Sequence, residues 1–424
     1  MLSLPQYRQS HKVVFYALMH ILILPFPLFS QTLNWPAESW SSAMNLTSKL
    51  TQTNVTELSG LHWNPATQFL YLVQDNGRLR ILQFNEGVDD FFEIANVEIA
   101  GNPEGIMQVD YEASIFYTVD EKNYEIRQYV PNQDYTSITL MKKWRLLTPN
   151  TPMPDTGNDG IEGIVFVPDK HLQSIGFVSS QTGLPYTSTK GMGGLIFIAH
   201  QTEGYVWVYD VNPTLSFDVA YVGKYKTNRK ESCDIAFDRT TGLLYIYILH
   251  NVGKNFLEVT NLSLEQVNDE YKFVVSKEYS LSNPTDGNEN IEGFAITPMC
   301  EENGVVSVFV CRDVNDTGTE IQKGDALRWF TDFPLLGSCF PITEDEQIQT
   351  DNARFTIEFT SLNGLYIHGA QENVELVFMD ELGRIRYKTH YEPMSYLPYD
   401  VLPQGYSILQ IHTSNDIQVV LIRL

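Results

Sequence analysis

Glu57-Leu58-Ser59-Gly60-Leu61-His62-Trp63-Asn64-Pro65, followed by Leu70-Tyr71-Leu72-Val73-Gln74-Asp75, decides the reading of this chain. A small polar or acidic residue and a Gly open an alternating apolar stretch; after a turn, a second apolar strand ends on a polar pair. The unit returns four times. Glu104-Gly105 leads to Asp120-Glu121, Glu162-Gly163 to His200-Gln201, Ser232-Cys233 to His250-Asn251, and Glu292-Gly293 to Arg312-Asp313. The starts are 45, 58, 70 and 60 residues apart, a period that marks an array of like supersecondary units.

Each unit but the fifth runs on into a third alternating strand (79–84, 125–130, 205–209, 256–260) and usually a fourth, such as 91–100 or 217–224. Four short antiparallel strands per unit is the pattern of a β-propeller blade. The fifth unit offers 305–310 and 326–330 but no fourth strand, and 44–50 is expected to supply it and close the ring. The expectation is therefore an all-β chain: a β-propeller over 43–338, with five blades preferred to six. A polar, acidic linker follows at 339–352. Strands resume over 353–424 between Gly364, Gly383 and Gly405, which suits a small β-sandwich.

At the other end, Arg8, His11 and Lys12 precede an apolar run over 13–29 that stops at Ser30 and Gln31. This is a signal-peptide layout, and residues 1–30 are set apart from the fold. The run holds Pro25 and Pro27 and is too short to be a comfortable membrane span, so the mature chain is expected to be secreted and without a transmembrane segment. Cys233, Cys300, Cys311 and Cys339 then allow disulfides in three pairings, which the sequence leaves open. Composition narrows the partners: 28 Lys and Arg against 52 Asp and Glu give a net charge of −24. Nucleic acid is excluded, because a phosphate backbone demands basic surface. Surplus carboxylate suits hard cations, or plain solubility.

The first and second strands of each unit run antiparallel, so all five leading residues and all five polar pairs are expected around one mouth of the ring. The innermost strand lines the channel. Ser59, Glu104, Glu162, Ser232 and Glu292 should then face one another, and three converging carboxylates must protonate or be bridged by a cation. Glu104, Glu162 and Glu292, with Asp75, Asp120, Glu121 and Asp313, form an oxygen-only set that selects calcium or magnesium over zinc or copper. The competing reading is that each Glu only ties neighbouring backbones together. His200 and His250 are candidate acid–base groups, and Arg312 a candidate for holding an anionic ligand by its fork. The loops 155–160 and 286–290 carry Asp, Asn and Gly, which suits either calcium ligation or tight turns. The insertion over 168–194 joins first and second strands and is expected on the opposite face. No Gly-x-Ser-x-Gly, His-Glu-x-x-His, phosphate-cradling Gly loop or CxxC pair occurs, so acyl-transfer, zinc-protease, nucleotide and thiol-redox chemistries have no motif behind them.

Two families resemble parts of this chain. The stretches 57–75 quoted above and Pro103-Glu104-Gly105-Ile106 with Phe116-Tyr117-Thr118-Val119-Asp120-Glu121 look like the opening blades of SdiA-regulated-type propellers, which are in turn similar to β-propeller phytases. That resemblance implies a calcium-dependent phosphoester hydrolase in which Glu104, Asp120 and Glu121, with Glu162, serve the calcium sites. The chain departs from the phytases in lacking their Asp-Asp-Pro-Ala run and a Lys- and Arg-rich mouth. Val374-Glu375-Leu376-Val377-Phe378-Met379-Asp380-Glu381-Leu382-Gly383-Arg384, then Leu402-Pro403-Gln404-Gly405-Tyr406 and the closing 417–424, resemble the type A C-terminal sorting domain of the type IX (Por) secretion system of Bacteroidetes. This implies the type IX machinery as a partner, passage across the outer membrane, and a secreted or cell-surface protein. Three functions remain from these readings: a propeller that binds calcium and through it an anionic small molecule or polysaccharide, a phytase-like hydrolase, and an adhesive or structural module without metal.

Overall fold

The computed structural model describes residues 32–339, apart from 52–54, 150, 158, 250–254, 282–283, 285–289 and 302–305, and then the strands beyond 355. The signal-peptide segment, the linker, His250 with Asn251, and most of the 286–290 loop lie outside the described residues. The chain is mostly strand and divides into two units, 1–338 and 339–424. No described helix is long and apolar enough to cross a membrane.

Unit one contains five four-stranded antiparallel meanders. The first is Leu58–Asn64, Phe69–Gln74, Arg78–Asn85 and Asp90–Glu98. The second is Pro103–Met107, Phe116–Asp120, Glu125–Pro131 and Ile138–Arg145. The third is Ile161–Pro168, Gly194–His200, Tyr205–Val211 and Val219–Lys226. The fourth is Asp234–Asp238, Leu243–Leu249, Asn255–Val267 and Glu270–Leu281. The fifth is Ile291–Ile296, Val306–Arg312 and Leu327–Phe333, completed by Met44–Asn45 from the N-terminal side. Met44 pairs with Trp329 and Asn45 with Arg328, and the Thr47 hydroxyl accepts the backbone N–H groups of Ala326 and Leu327, each at 2.9 Å. The strand is shorter than the sequence suggested, because the chain turns into a 3-10 helix at Thr47–Lys49.

Apolar side chains pack between neighbouring meanders, in five clusters that follow one another around a ring. Tyr71 and Phe116 meet between the first and second, Trp144 and Ile198 between the second and third, and Phe197 and Ile246 between the third and fourth. Tyr245 and Phe294 meet between the fourth and fifth, and Leu72 and Phe309 between the fifth and first. Each first strand touches the first strands of its two neighbours, and the fifth returns to the first. Glycine allows that approach. A Cβ at Gly60 would lie 2.4 Å from the Glu104 carbonyl oxygen, one at Gly105 2.6 Å from that of Glu162, and one at Gly163 2.6 Å from Asp234 Cα.

Two strand features had no counterpart in the sequence reading. Thr32–Asn34 pairs in parallel with Glu278–Ser280, and Lys226 pairs in parallel with Lys272. The third and fourth meanders and this edge strand thereby join as one nine-stranded sheet. Cys300 and Cys339 are disulfide-bonded, whereas Cys233 and Cys311 are buried thiols outside any disulfide.

Unit two pairs Thr356–Thr360 with Gly364–His368, and orders Ile385–Tyr391, Val374–Met379, Tyr406–His412 and Ile417–Arg423 in a second, antiparallel sheet. Val374, Leu376, Val377, Phe378, Leu409 and Ile411 are buried.

Candidate functional site

One backbone hydrogen bond recurs at the head of four meanders. Asp75 donates its N–H to the Glu57 carbonyl, Glu121 to Asn102, Gln201 to Gly160 and Asp313 to Asn290, at 2.7–3.1 Å. The residue just past each second strand is thereby fixed beside the residue two before the leading Glu or Ser. Strand alternation then sorts the polar pairs, since successive side chains point to opposite faces. The second members Asp75, Glu121 and Asp313 interact electrostatically with the leading glutamates.

The first members turn into the spaces between meanders. Asp120 forms a 2.8 Å ion pair with Arg127 and accepts the N–H groups of Asn102 and Asn123. His200 is fully buried near the rings of Tyr124 and Trp207, and burial lowers its pKa to about 4, so it is neutral. Arg312 is fully buried, donating to the carbonyls of Asp325 and Gln322 and lying 3.4 Å from the Asp325 carboxylate.

A β-bulge presents the leading residues. The pairing register skips between Leu58 and Gly60, Pro103 and Gly105, Ile161 and Ile164, and Ile291 and Gly293, which leaves Ser59, Glu104, Glu162 and Glu292 out of the ladder. Bulges re-aim a side chain in this way. Glu104 accepts Asn102 Nδ2 at 2.9 Å and Glu292 accepts Asn290 Nδ2 at 2.7 Å, each clamped by the Asn two residues before it. In the third meander that place is Gly160, whose N–H serves Glu121 at 3.1 Å instead. Glu162 is 8% exposed, and among the described residues no donor reaches its carboxylate.

Burial first, and mutual repulsion second, raise these carboxyls. Glu162 is pushed well above its ordinary value by burial and by Glu104, Glu292, Glu121 and Asp234; Glu292 by burial, Asp313, Glu104 and Asp75; Glu104 by burial and Glu121 against a hydrogen bond from Ser59. Asp75 rises to about 8 through burial and a carboxyl–carboxyl contact with Glu57, and Asp313 to about 6 through burial and Glu57. No group of three or more His, Cys, Asp or Glu able to hold a metal ion is formed among the described residues. The loop at 155–160 is held by Tyr124, whose hydroxyl accepts the Thr156 N–H at 2.9 Å.

The fourth meander breaks the pattern by one residue. Its first strand has no bulge and starts at Asp234, so Cys233 takes the leading position and Asp234 the glycine position, while Ser232 is buried and donates to the His200 carbonyl at 3.0 Å. The Asp234 carboxylate, which the sequence reading missed, accepts the N–H groups of Ile235 and Phe294, each at 2.8 Å, and that of Leu61. It thus joins the fourth, fifth and first meanders across the channel. At the other end of the first strands, the Arg239 guanidinium covers the Tyr111 ring at 3.9 Å and donates to the carbonyls of Gln108 and Val109. Only about 20 Å³ remains open there.

No family model matches the chain, and no curated protein matches it. Among solved structures, the crystal structure of a nidogen/laminin complex aligns over 65% of this chain and 84% of that chain, at 11% identity and a TM-score of 0.33. A functionally unknown protein from Desulfotomaculum acetoxidans DSM 771 aligns over 67% and 74%, at 11% identity and a TM-score of 0.31. Likenesses of this degree carry no argument about what the chain does.

Proposed function

We propose that unit one is a five-bladed β-propeller whose acidic mouth binds a divalent hard cation, calcium before others, and through it an anionic ligand. The five-blade reading is supported by the five meanders, the five intervening apolar clusters and the closure by Met44–Asn45. The observation that carries the cation reading is Glu162. A carboxylate that is buried, without a donor among the described residues, and faced by Glu104, Glu292, Glu121 and Asp234 lacks the compensation that buried charge requires. A dication supplies it, and oxygen-only donors suit calcium. With the ion, Glu104, Glu162 and Glu292 would turn inwards as ligands, with Asp75, Glu121 and Asp313 behind them.

The bracing alternative draws support from the Asn clamps on Glu104 and Glu292, but it gives Glu162 no role. Binding fits better than turnover, because His200 is neutral and enclosed and Arg312 is committed to Asp325. Export through a type IX system remains a reading of 353–424, in keeping with the oxidised Cys300 and Cys339, since disulfides persist outside the reducing cytosol. Thermal unfolding in EDTA and in calcium tests the cation reading. A melting temperature several degrees higher in calcium supports it, and identical melts count against it.

A further inference from the structure

A second cleft, away from the acidic mouth, is built from four separate parts of unit one. It is an open cleft of about 430 Å³, within the volume range of small-molecule sites. The fourth strand of the third meander supplies Tyr221 and Lys224, and the 168–194 insertion supplies Ser180 and Gln181. The segment before the third meander contributes Pro149 and Pro152. The last wall is the fourth meander's hairpin of 13- and 12-residue strands, longer than those of the other meanders. Its turn, with Asn268 and Asp269 at positive φ, sets Glu270 and Tyr271 over the third meander, a geometry those short polar residues tolerate. There the Tyr205 hydroxyl donates to Glu270 at 2.6 Å.

Three features define the ligand chemistry. Lys224 Nζ rests 4.1 Å from the Tyr205 ring centre and 5.6 Å from that of Trp207, and among the described residues it makes no ion pair. An uncommitted ammonium held on aromatic faces, in a chain of charge −24, is a place for one anionic group. Tyr221 packs against Trp207 at 5.5 Å and Tyr209 at 5.9 Å, is only part-buried, and shares the cleft with Tyr271. Rigid, half-wet aromatic walls suit a flat, C–H-lined ring face. Beside them, Gln181, the Glu270 carboxylate and the Ser180 hydroxyl, which accepts the Lys224 N–H at 3.0 Å, offer donors and acceptors for hydroxyl groups. A phosphate dianion is disfavoured by Asp269 and Glu270, since like charges at close range repel.

We propose that this cleft binds a carboxylated pyranose, a uronic acid unit, with its carboxylate on Lys224, a ring face on Tyr221 and its hydroxyls between Gln181 and Glu270. The insertion that the sequence reading placed far from the mouth thus has a site of its own.

The test is calorimetric titration of the secreted full-length chain, in EDTA so that the acidic mouth takes no part. The probes are methyl glucuronide, methyl glucoside and acetate. The expected result is a millimolar Kd for the glucuronide, about tenfold or more below those of the glucoside and acetate. In Lys224→Gln the two glycosides should bind alike, and in Tyr221→Leu both should weaken about tenfold, with melting temperatures showing that each variant folds. If Tyr221→Leu does not fold, Gln181→Ala replaces it with the same expected weakening. Failure of the glucuronide to bind, equal binding of glucuronide and glucoside by the unmodified chain, equal binding of acetate, or an unchanged preference in Lys224→Gln would overturn the proposal.

Discussion

The carbonyl oxygen of Glu104 lies 2.4 Å from where a Cβ on Gly60 would stand. The same contact joins Gly105 to Glu162, so the backbone that presents Glu104 and Glu162 is also the surface on which the previous first strand packs. Gly60→Ala must push two first strands apart, and by the cost of overpacking it should destabilise unit one by about 1–3 kcal/mol. Urea unfolding measures this; a change below a few tenths of a kcal/mol would mean that the first strands are not held at this distance.

In the proposed reading, Asp120 and Glu121, neighbours in sequence, have opposite tasks. Asp120→Asn removes one partner of a buried ion pair with Arg127, which keeps Glu125, and should cost on the order of 2–3 kcal/mol of stability while leaving calcium affinity nearly unchanged. Glu121→Gln should do the reverse. Urea unfolding and calcium titration on both variants check the division, and a loss of calcium affinity in Asp120→Asn alone would invert it.

That division marks the limit of what the sequence disclosed. The Gly after each leading Glu, and the recurring polar pair, were legible because close backbone approach and a shared sheet edge both demand particular residues. Which member of a pair faces the mouth depends on strand phase, and a bulge at each leading residue shifts that phase by one. The fourth first strand has no bulge, so aligning Ser232-Cys233 with the others set the register one residue early and hid Asp234. Met44–Asn45 was legible because the fifth unit lacked a strand. Thr32–Asn34 was not, since three residues carry no period. The cleft beside Lys224 draws on four segments distant in sequence, and no local pattern announces it.

pH offers a separate check on the metal-free protein. Asp313 and Asp75 have folded pKa values of about 6 and about 8, above the usual value near 4. An acid with a raised folded pKa keeps its proton in the folded chain where the unfolded chain has lost it, so its stabilising share is full below pH 4 and falls as pH rises. In EDTA, melting temperature should therefore decline between about pH 4 and 8, and saturating calcium should flatten the decline by favouring the ionised forms. A metal-free chain that grows more stable across this range would contradict the raised values.

Export is tested in a Bacteroidetes host. Deleting 353–424 should leave a folded unit one in the periplasm, detected there by immunoblotting with no protein in the medium or at the surface. Arrival of the truncated chain outside the cell would refute the sorting role given to this region.

Calorimetric calcium titration of the full-length chain beside Glu162→Gln tests the cation reading most directly. Gln keeps the shape of Glu and removes one charge, and among the described residues no hydrogen bond at Glu162 has to be replaced. The account predicts saturable binding by the unmodified chain and an affinity about tenfold or more weaker in Glu162→Gln. No calcium binding by the unmodified chain, or equal affinity in the two proteins, would contradict it.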